Sequence, residues 1–287
     1  MRLGPILLST VRARSRGRLA QAWAGASAVV LLALAGCAQQ PPQQMAQMQQ
    51  PEKEGVPAQP NPDPAKRAAI RLQLASAYFG EGRLDPAQQE VTQAIALEPD
   101  LPGAHALQAL ILDAKGDVPG AETAFRRALQ LDPRDGGTMH NYAWFQCRLG
   151  RYEAADRLFD QVMALPGYRS SAQTLFVKGV CQSRAGELAS AEQTLLRAYE
   201  IDAGSPATAV NLADVLYRRG EYERARFYVR RVNRSADLAN AESLWLALRI
   251  ERRLGNAQGA RDVGNQLLDR FPDSAEARAY EAGRYEP

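Results

Sequence analysis

Few side chains in this sequence are of the types that form or break covalent or coordination bonds. There are two histidines, His105 and His140, and three cysteines, Cys37, Cys147 and Cys181. No cysteine or carboxylate cluster has metal-ligand spacing, and there is no phosphate-cradling glycine loop, nucleophile elbow or HExxH helix. The expectation is therefore no catalytic residue, no metal, no cofactor and no enzymatic activity. His105 lies on the packing face of a helical pattern and reads as a core or semi-buried side chain; His140 lies on the other stripe. Thiol chemistry remains. Cys37 closes an uncharged, apolar stretch, and Cys147 and Cys181 stand 34 residues apart.

The elements that would position these side chains are helices. From Ala65 onward no strand-like alternation occurs, and the chain is rich in strong helix formers. A glycine that follows a helical pattern recurs at Gly82, Gly116, Gly150, Gly186, Gly220 and Gly255, at intervals of 34, 34, 36, 34 and 35 residues. Five residues after each stands an alanine: Ala87, Ala121, Ala155, Ala191, Ala225 and Ala260. Seven residues before stand Ala75, Ala109, Ala143, Gly179 and Ala213, with Leu248 in the last unit. Each position has a physical task. The glycine permits a positive-φ turn, and the small residues let two antiparallel helices approach closely. Pro99, Pro133 and Pro272 end second helices, Pro166 does so one residue early, and the fifth unit lacks such a proline.

This period resembles the tetratricopeptide repeat. Six tandem units imply an all-α fold: a right-handed superhelical solenoid of six helix-turn-helix repeats, each burying its apolar face on its neighbours. The 36-residue interval implies a two-residue insertion near Tyr168-Arg169-Ser170, and Asp273 to Ala282 would be a C-terminal capping helix.

Upstream of the repeats the sequence reads as targeting and tether. Residues 2–18 are basic and Leu19 to Gly36 carry no charge, the pattern of a secretory signal peptide over residues 1–36. A retained membrane anchor is the alternative, disfavoured by the shortness of the stretch and by Gln21 and Ser27 within it. The ending Leu34-Ala35-Gly36-Cys37 resembles the bacterial lipobox, which implies acyl chains on Cys37 and attachment to a membrane. Ala38 in place of an aspartate argues for the outer membrane. Residues 37–64 then comprise the lipidated cysteine and a Gln- and Pro-rich disordered tether, and residues 65–287 form the repeat domain. The net charge of +3 is a property of the signal. Removing its five arginines leaves 30 basic against 32 acidic residues, and a net charge of −2 gives no case for nucleic acid.

Export bears on the remaining cysteines. Two readings of Cys147 and Cys181 stand: small buried thiols, or a disulfide between adjacent first helices in an oxidising compartment, and the second is favoured. In a tetratricopeptide superhelix one stripe of each first helix faces the concave groove. Counting back two, three, six and ten residues from the glycine collects His140, Trp144, Cys147 and Arg148; Phe176, Val180, Ser183 and Arg184; Val210, Asp214, Tyr217 and Arg218; and Trp245, Arg249, Arg252 and Arg253. Each arginine two before the glycine could simply complement a helix dipole. That does not explain the aromatic residues on the same stripe, and arginine with aromatics is the composition of binding hot spots. The expectation is a groove for a partner segment with acidic and apolar side chains. Repeats one and two have Gly80 and Ala114 at the arginine slot, with Leu72, Phe79 and Leu110 on the stripe.

Within the repeats, His140-Asn141-Tyr142-Ala143-Trp144-Phe145-Gln146-Cys147 followed by Gly150-Arg151-Tyr152, then Leu212-Ala213-Asp214-Val215-Leu216-Tyr217 and the tail from Leu267 to Pro272, are distinctive. With the lipobox and six repeats, the chain resembles the type IV pilus biogenesis and stability lipoproteins, the pilotins of the pilus secretin. The resemblance implies a periplasmic scaffold anchored on the outer membrane that promotes localisation and multimerisation of the secretin. The alternatives are another envelope scaffold, such as an outer-membrane-protein assembly lipoprotein, or a module that recruits a cell-wall enzyme.

Overall fold

The computed structural model describes residues 63–285; the signal, Cys37 and nearly all of the tether lie outside the described residues. The described chain is all-helical and pairs its helices in order. The six hairpins are α1 (Pro64–Gly80) with α2 (Leu84–Leu97), α3 (Pro102–Ala114) with α4 (Val118–Leu131), α5 (Gly136–Arg148) with α6 (Tyr152–Met163), α7 (Ser171–Ala185) with α8 (Leu188–Ile201), α9 (Pro206–Arg218) with α10 (Tyr222–Asn233), and α11 (Ala241–Arg253) with α12 (Ala257–Arg270). A short α13 (Ala275–Glu281) covers the last pair, as the capping-helix expectation requires.

Helix starts and stops follow local chemistry. Asp63, Asp117, Asp135, Ser205, Asn240, Asn256 and Ser274 each accept a backbone N–H in the first turn of the helix they precede, satisfying donors that have no partner inside the helix. Each of the six periodic glycines turns the chain with φ between +71° and +84°. An L-residue adopts that region only with strain, so the glycine period is also the period of the turns. The longer third interval becomes a loop from Ala164 to Ser170 that contains Gly167 at φ +74°. Tyr168 from this loop lies against Gly136, where any side chain would collide with its ring, and its hydroxyl pairs with Thr174 Oγ1 at 2.7 Å. The fifth repeat, without its proline, instead enters α11 through a capping box between Asn240 and Ser243.

The small residues carry the hairpin interfaces. Ala75, Ala109, Ala143 and Ala213, and the alanines five after each turn from Ala87 to Ala225, are fully buried. A Cβ on Gly179 would stand 2.5 Å from Leu195 Cγ, so α7 and α8 meet at a distance only glycine allows. Larger side chains fill the seams between repeats. Phe125 of repeat two packs on Tyr142 and Phe145 of repeat three, with ring centroids 5.2 and 5.4 Å apart. Such shared clusters mean that no hairpin completes its core alone, which is the energetic basis of a solenoid.

Candidate protein-binding face

The stripe read from the sequence becomes a ladder running between neighbouring first helices. Cys147 of α5 and Cys181 of α7 are joined by a disulfide with Cα atoms 5.9 Å apart, and both are buried in one cluster with Ala143, Ala155, Phe159 and Val177. Trp144, a turn before Cys147, packs half-buried on that cluster and carries the Arg184 guanidinium over its ring at 4.9 Å. Tyr217 of α9 receives Arg249 of α11 over its ring at 4.6 Å, and Arg253 Nε donates to its hydroxyl at 3.3 Å. Trp245 stacks on Tyr285 beyond the capping helix, centroids 6.1 Å apart and planes within 14°. Flat cations thus lie on flat rings between α5 and α7 and between α9 and α11, an arrangement that fixes the guanidinium planes.

Other members of the stripe are placed differently. Arg148 pairs with Asp113 of α3. Arg218 donates from Nη1 to Ser183 Oγ at 2.6 Å and from Nη1 and Nη2 to its carbonyl, so it anchors α9 to α7. Phe176, Val180 and Val210 are half-buried; Phe176 packs into the clusters on both sides of α7, and Val210 into the one beneath α9. His140 turns between repeats, with Nδ1 2.8 Å from Thr174 Oγ1 and its ring edge-on to Phe159; burial pushes its pKa below the usual histidine value. His105 is half-buried, its Nε2 2.8 Å from the Pro99 carbonyl. Asp214 lies beneath the ladder. Burial raises its carboxyl above the usual range, against the pull of Arg218 and Arg249.

Two features escape the stripe analysis. The first is a set of buried ion pairs that couple repeats. Glu192, on α8, holds Arg219 and Arg224 of the next hairpin; Glu251, on α11, holds Arg230 at 2.8 Å, Asn256 at 2.7 Å and Arg226 at 3.7 Å; and Lys178 reaches Asp160 at 2.5 Å. Part of this was visible, since Glu122, Asp156 and Glu192 all stand six residues after their glycine. The second is the segment after α13, which folds Arg284 and Tyr285 back onto α11. Nothing in the repeat period marks those two residues.

These features define a class. The tetratricopeptide repeat model matches residues 72–136, 147–206 and 210–275, and a second model of the same description matches residues 124–157, so the chain belongs to the tetratricopeptide repeat family. Within it, the chain is 26% identical over 220 residues to the type IV pilus assembly protein PilF of Pseudomonas aeruginosa, covering 77% of this chain and 86% of that one. The crystal structure of PilW, described as a widely conserved type IV pilus biogenesis factor, superposes with a TM-score of 0.70 at 28% identity, over 75% of this chain and 98% of that one. A solved structure of PilF superposes with a TM-score of 0.67 over 77% of this chain and 99% of that one; at 24% identity that match speaks for the fold. The chain is homologous to PilF and PilW, tetratricopeptide proteins of type IV pilus biogenesis. No enzyme family is indicated.

Proposed function

We propose that this chain is a pilotin: a lipid-anchored scaffold on the periplasmic face of the outer membrane that binds the pilus secretin and promotes its localisation and multimerisation. The observation that carries the reading is the homology to PilF, which extends over 86% of that pilus assembly protein. Two sequence features support the location, the Leu34-Ala35-Gly36-Cys37 ending of the uncharged segment and the Gln/Pro-rich tether after it. The aromatic and arginine ladder supports protein binding, because it offers pre-oriented guanidiniums and ring faces to an extended segment.

Deletion of the gene is expected to reduce surface pili and to deplete or mislocalise secretin multimers. Normal piliation with a normal multimer ladder would reject the reading in favour of another envelope scaffold or a recruiter of a cell-wall enzyme, which co-purification would then identify. Anchoring has its own test. Cys37→Ser should abolish incorporation of labelled palmitate and release the protein from outer-membrane fractions. On the ladder, Trp144→Ala and the pair Arg184→Glu with Arg218→Glu should each weaken secretin capture, with helicity retained by circular dichroism; full capture by both variants moves the site elsewhere.

A further inference from the structure

The far end of the first-helix face holds a cleft of about 550 Å³, lined by Tyr217, Arg249, Arg252, Arg253, Arg284 and Tyr285, with Gly283 at its edge. That volume is in the range of sites for small ligands and short peptide segments. Among the described residues, no carboxylate lines it. One wall is built by the segment after α13. After α13 the chain reverses through Gly283 at φ +65°, with Gly283 N–H donating to the Tyr280 carbonyl at 3.0 Å and Arg284 N–H to the Ala279 carbonyl at 2.9 Å. Tyr280 lies over Gly264 of α12, where a Cβ would fall 2.1 Å from Cζ, so α13 is seated on a glycine. Tyr285 is thereby held beside Tyr280, with centroids 6.3 Å apart, and flat on Trp245.

The arginines of this cleft are positioned by rings. Arg252 lies 3.5 Å above the Tyr285 ring and Arg249 lies 4.6 Å above that of Tyr217. Among the described residues Arg249, Arg252 and Arg284 enter no ion pair, whereas Arg226 and Arg230 of α10 share Glu251 of α11, and Arg226 also pairs with Glu223. The Nε of Arg249 is buried without a hydrogen-bond partner. Arg249, Arg252 and Arg284 repel one another, offset among the described residues only by the attraction between Arg249 and Asp214, and the unpaired Arg249 donor adds to that cost. A ligand bearing carboxylates would relieve the repulsion.

We propose that this cleft docks a carboxylate-rich, extended segment of a protein partner, its acidic side chains clamped by Arg249, Arg252 and Arg284 and its intervening apolar side chains laid on Tyr217 and Tyr285. The inference rests on the first-helix face being the partner-binding face. A protein segment is favoured over other anions because Arg249 on Tyr217 belongs to both the cleft and the ladder, so one extended chain would run from one onto the other. Paired N–H donors of a guanidinium match the two oxygens of a carboxylate.

The test uses the full-length chain in detergent and a fluorescein-labelled, amidated peptide of alternating aspartate and leucine, read by fluorescence anisotropy. The peptide in which asparagine replaces aspartate should bind about tenfold more weakly or worse, the loss expected for one charge-assisted contact. Arg252→Glu with Arg284→Glu should cost at least that much, and Tyr285→Ala should weaken binding without reversing charge. Arg184→Glu, on the ladder but outside the cleft, should leave the short peptide bound. Equal binding of the two peptides, or full binding by both cleft variants when circular dichroism shows intact folds, overturns the inference. Loss with Arg184→Glu alone overturns it too and leaves the ladder reading standing. Capture of phosphatidylglycerol vesicles in place of the peptide, abolished in the double variant, would reassign the cleft to lipid headgroups.

Discussion

Repeats one and two and repeats three to six present unlike chemistry on one continuous face. In the first pair the stripe is Leu72, Phe79 and Leu110, half-buried, and the slot that later holds arginines is Gly80 and Ala114. Ile70 and Leu74 of α1 also stand 55% and 42% exposed. In the later repeats the same stripe carries a disulfide, rings and guanidiniums. The hairpin interfaces behind it hardly differ: Ala75 and Ala87 in repeat one do the same work as Ala213 and Ala225 in repeat five. The comparison teaches that the alanine interfaces hold the solenoid, which leaves the first-helix face free to differ along its length. A second difference concerns the seams: the buried residues around Val91 and Ile111 are all aliphatic, with Tyr78 and Phe79 packed at the edge, whereas further on aromatic side chains and ion pairs are themselves buried.

The largest expected contrast lies in those seams. Phe159→Ala, emptying a fully buried site behind the disulfide, should cost about 3–5 kcal/mol in urea unfolding. Val91→Ala in repeat one should cost about 1–2 kcal/mol. Equal losses would mean that both halves are packed to the same effect. Next comes the bridge. It closes a loop over a separation of 34 residues, so Cys147→Ser with Cys181→Ser should lower stability by about 3–4 kcal/mol in the chain-entropy account, and intact mass with thiol labelling should find no free thiol in oxidised wild type at these positions. Glu251→Gln removes the shared charge of Arg226 and Arg230 at a nearly fully buried site and should cost about 1–3 kcal/mol by thermal or urea unfolding.

Two smaller effects carry opposite signs with pH. His140 has a lowered pKa in the fold, so below about 6.5 the unfolded chain takes up a proton that the native state resists. Its contribution is complete above that pH and is lost as pH falls, and His140→Gln should flatten the acid limb of the stability curve. Asp214 has a raised pKa, so its contribution is greatest below the unfolded value of 3.8 and is lost as pH rises through the folded one. Asp214→Asn should therefore stabilise at neutral pH and not in acid. Smallest of all, Ile70→Ser or Leu74→Ser should change stability by no more than about 0.5 kcal/mol, since both are already exposed.

What could be read without coordinates was whatever repeats. The glycines mark turns because only glycine takes their positive φ cheaply, and small residues at fixed distances from each turn mark where helices touch, so hairpin number, order and boundaries follow from a single chain. The position of Trp144, Tyr217 and Trp245 on one stripe was legible for the same reason. Their partners were not. Four arginines share the slot two before the glycine, yet Arg184 lies on a ring, Arg218 on Ser183, Arg148 on Asp113, and Arg253 against the Tyr217 hydroxyl. A long side chain reaches several neighbours, and which one it meets depends on the rotation between adjacent hairpins, which no helical period encodes.

The sequence by itself determined the six hairpins, the cap and the residue types on each face, because turn geometry and close helix approach are local demands met by glycine and alanine at fixed spacing. Tertiary structure alone decided the rest. Stacking brought Cys147 beside Cys181, set Glu192 and Glu251 between arginines of neighbouring elements, and gave Arg184 and Arg249 their rings. It also brought Tyr285 back over α11, because α13 packs on Gly264 over the last apolar seam and the chain reverses after it at Gly283.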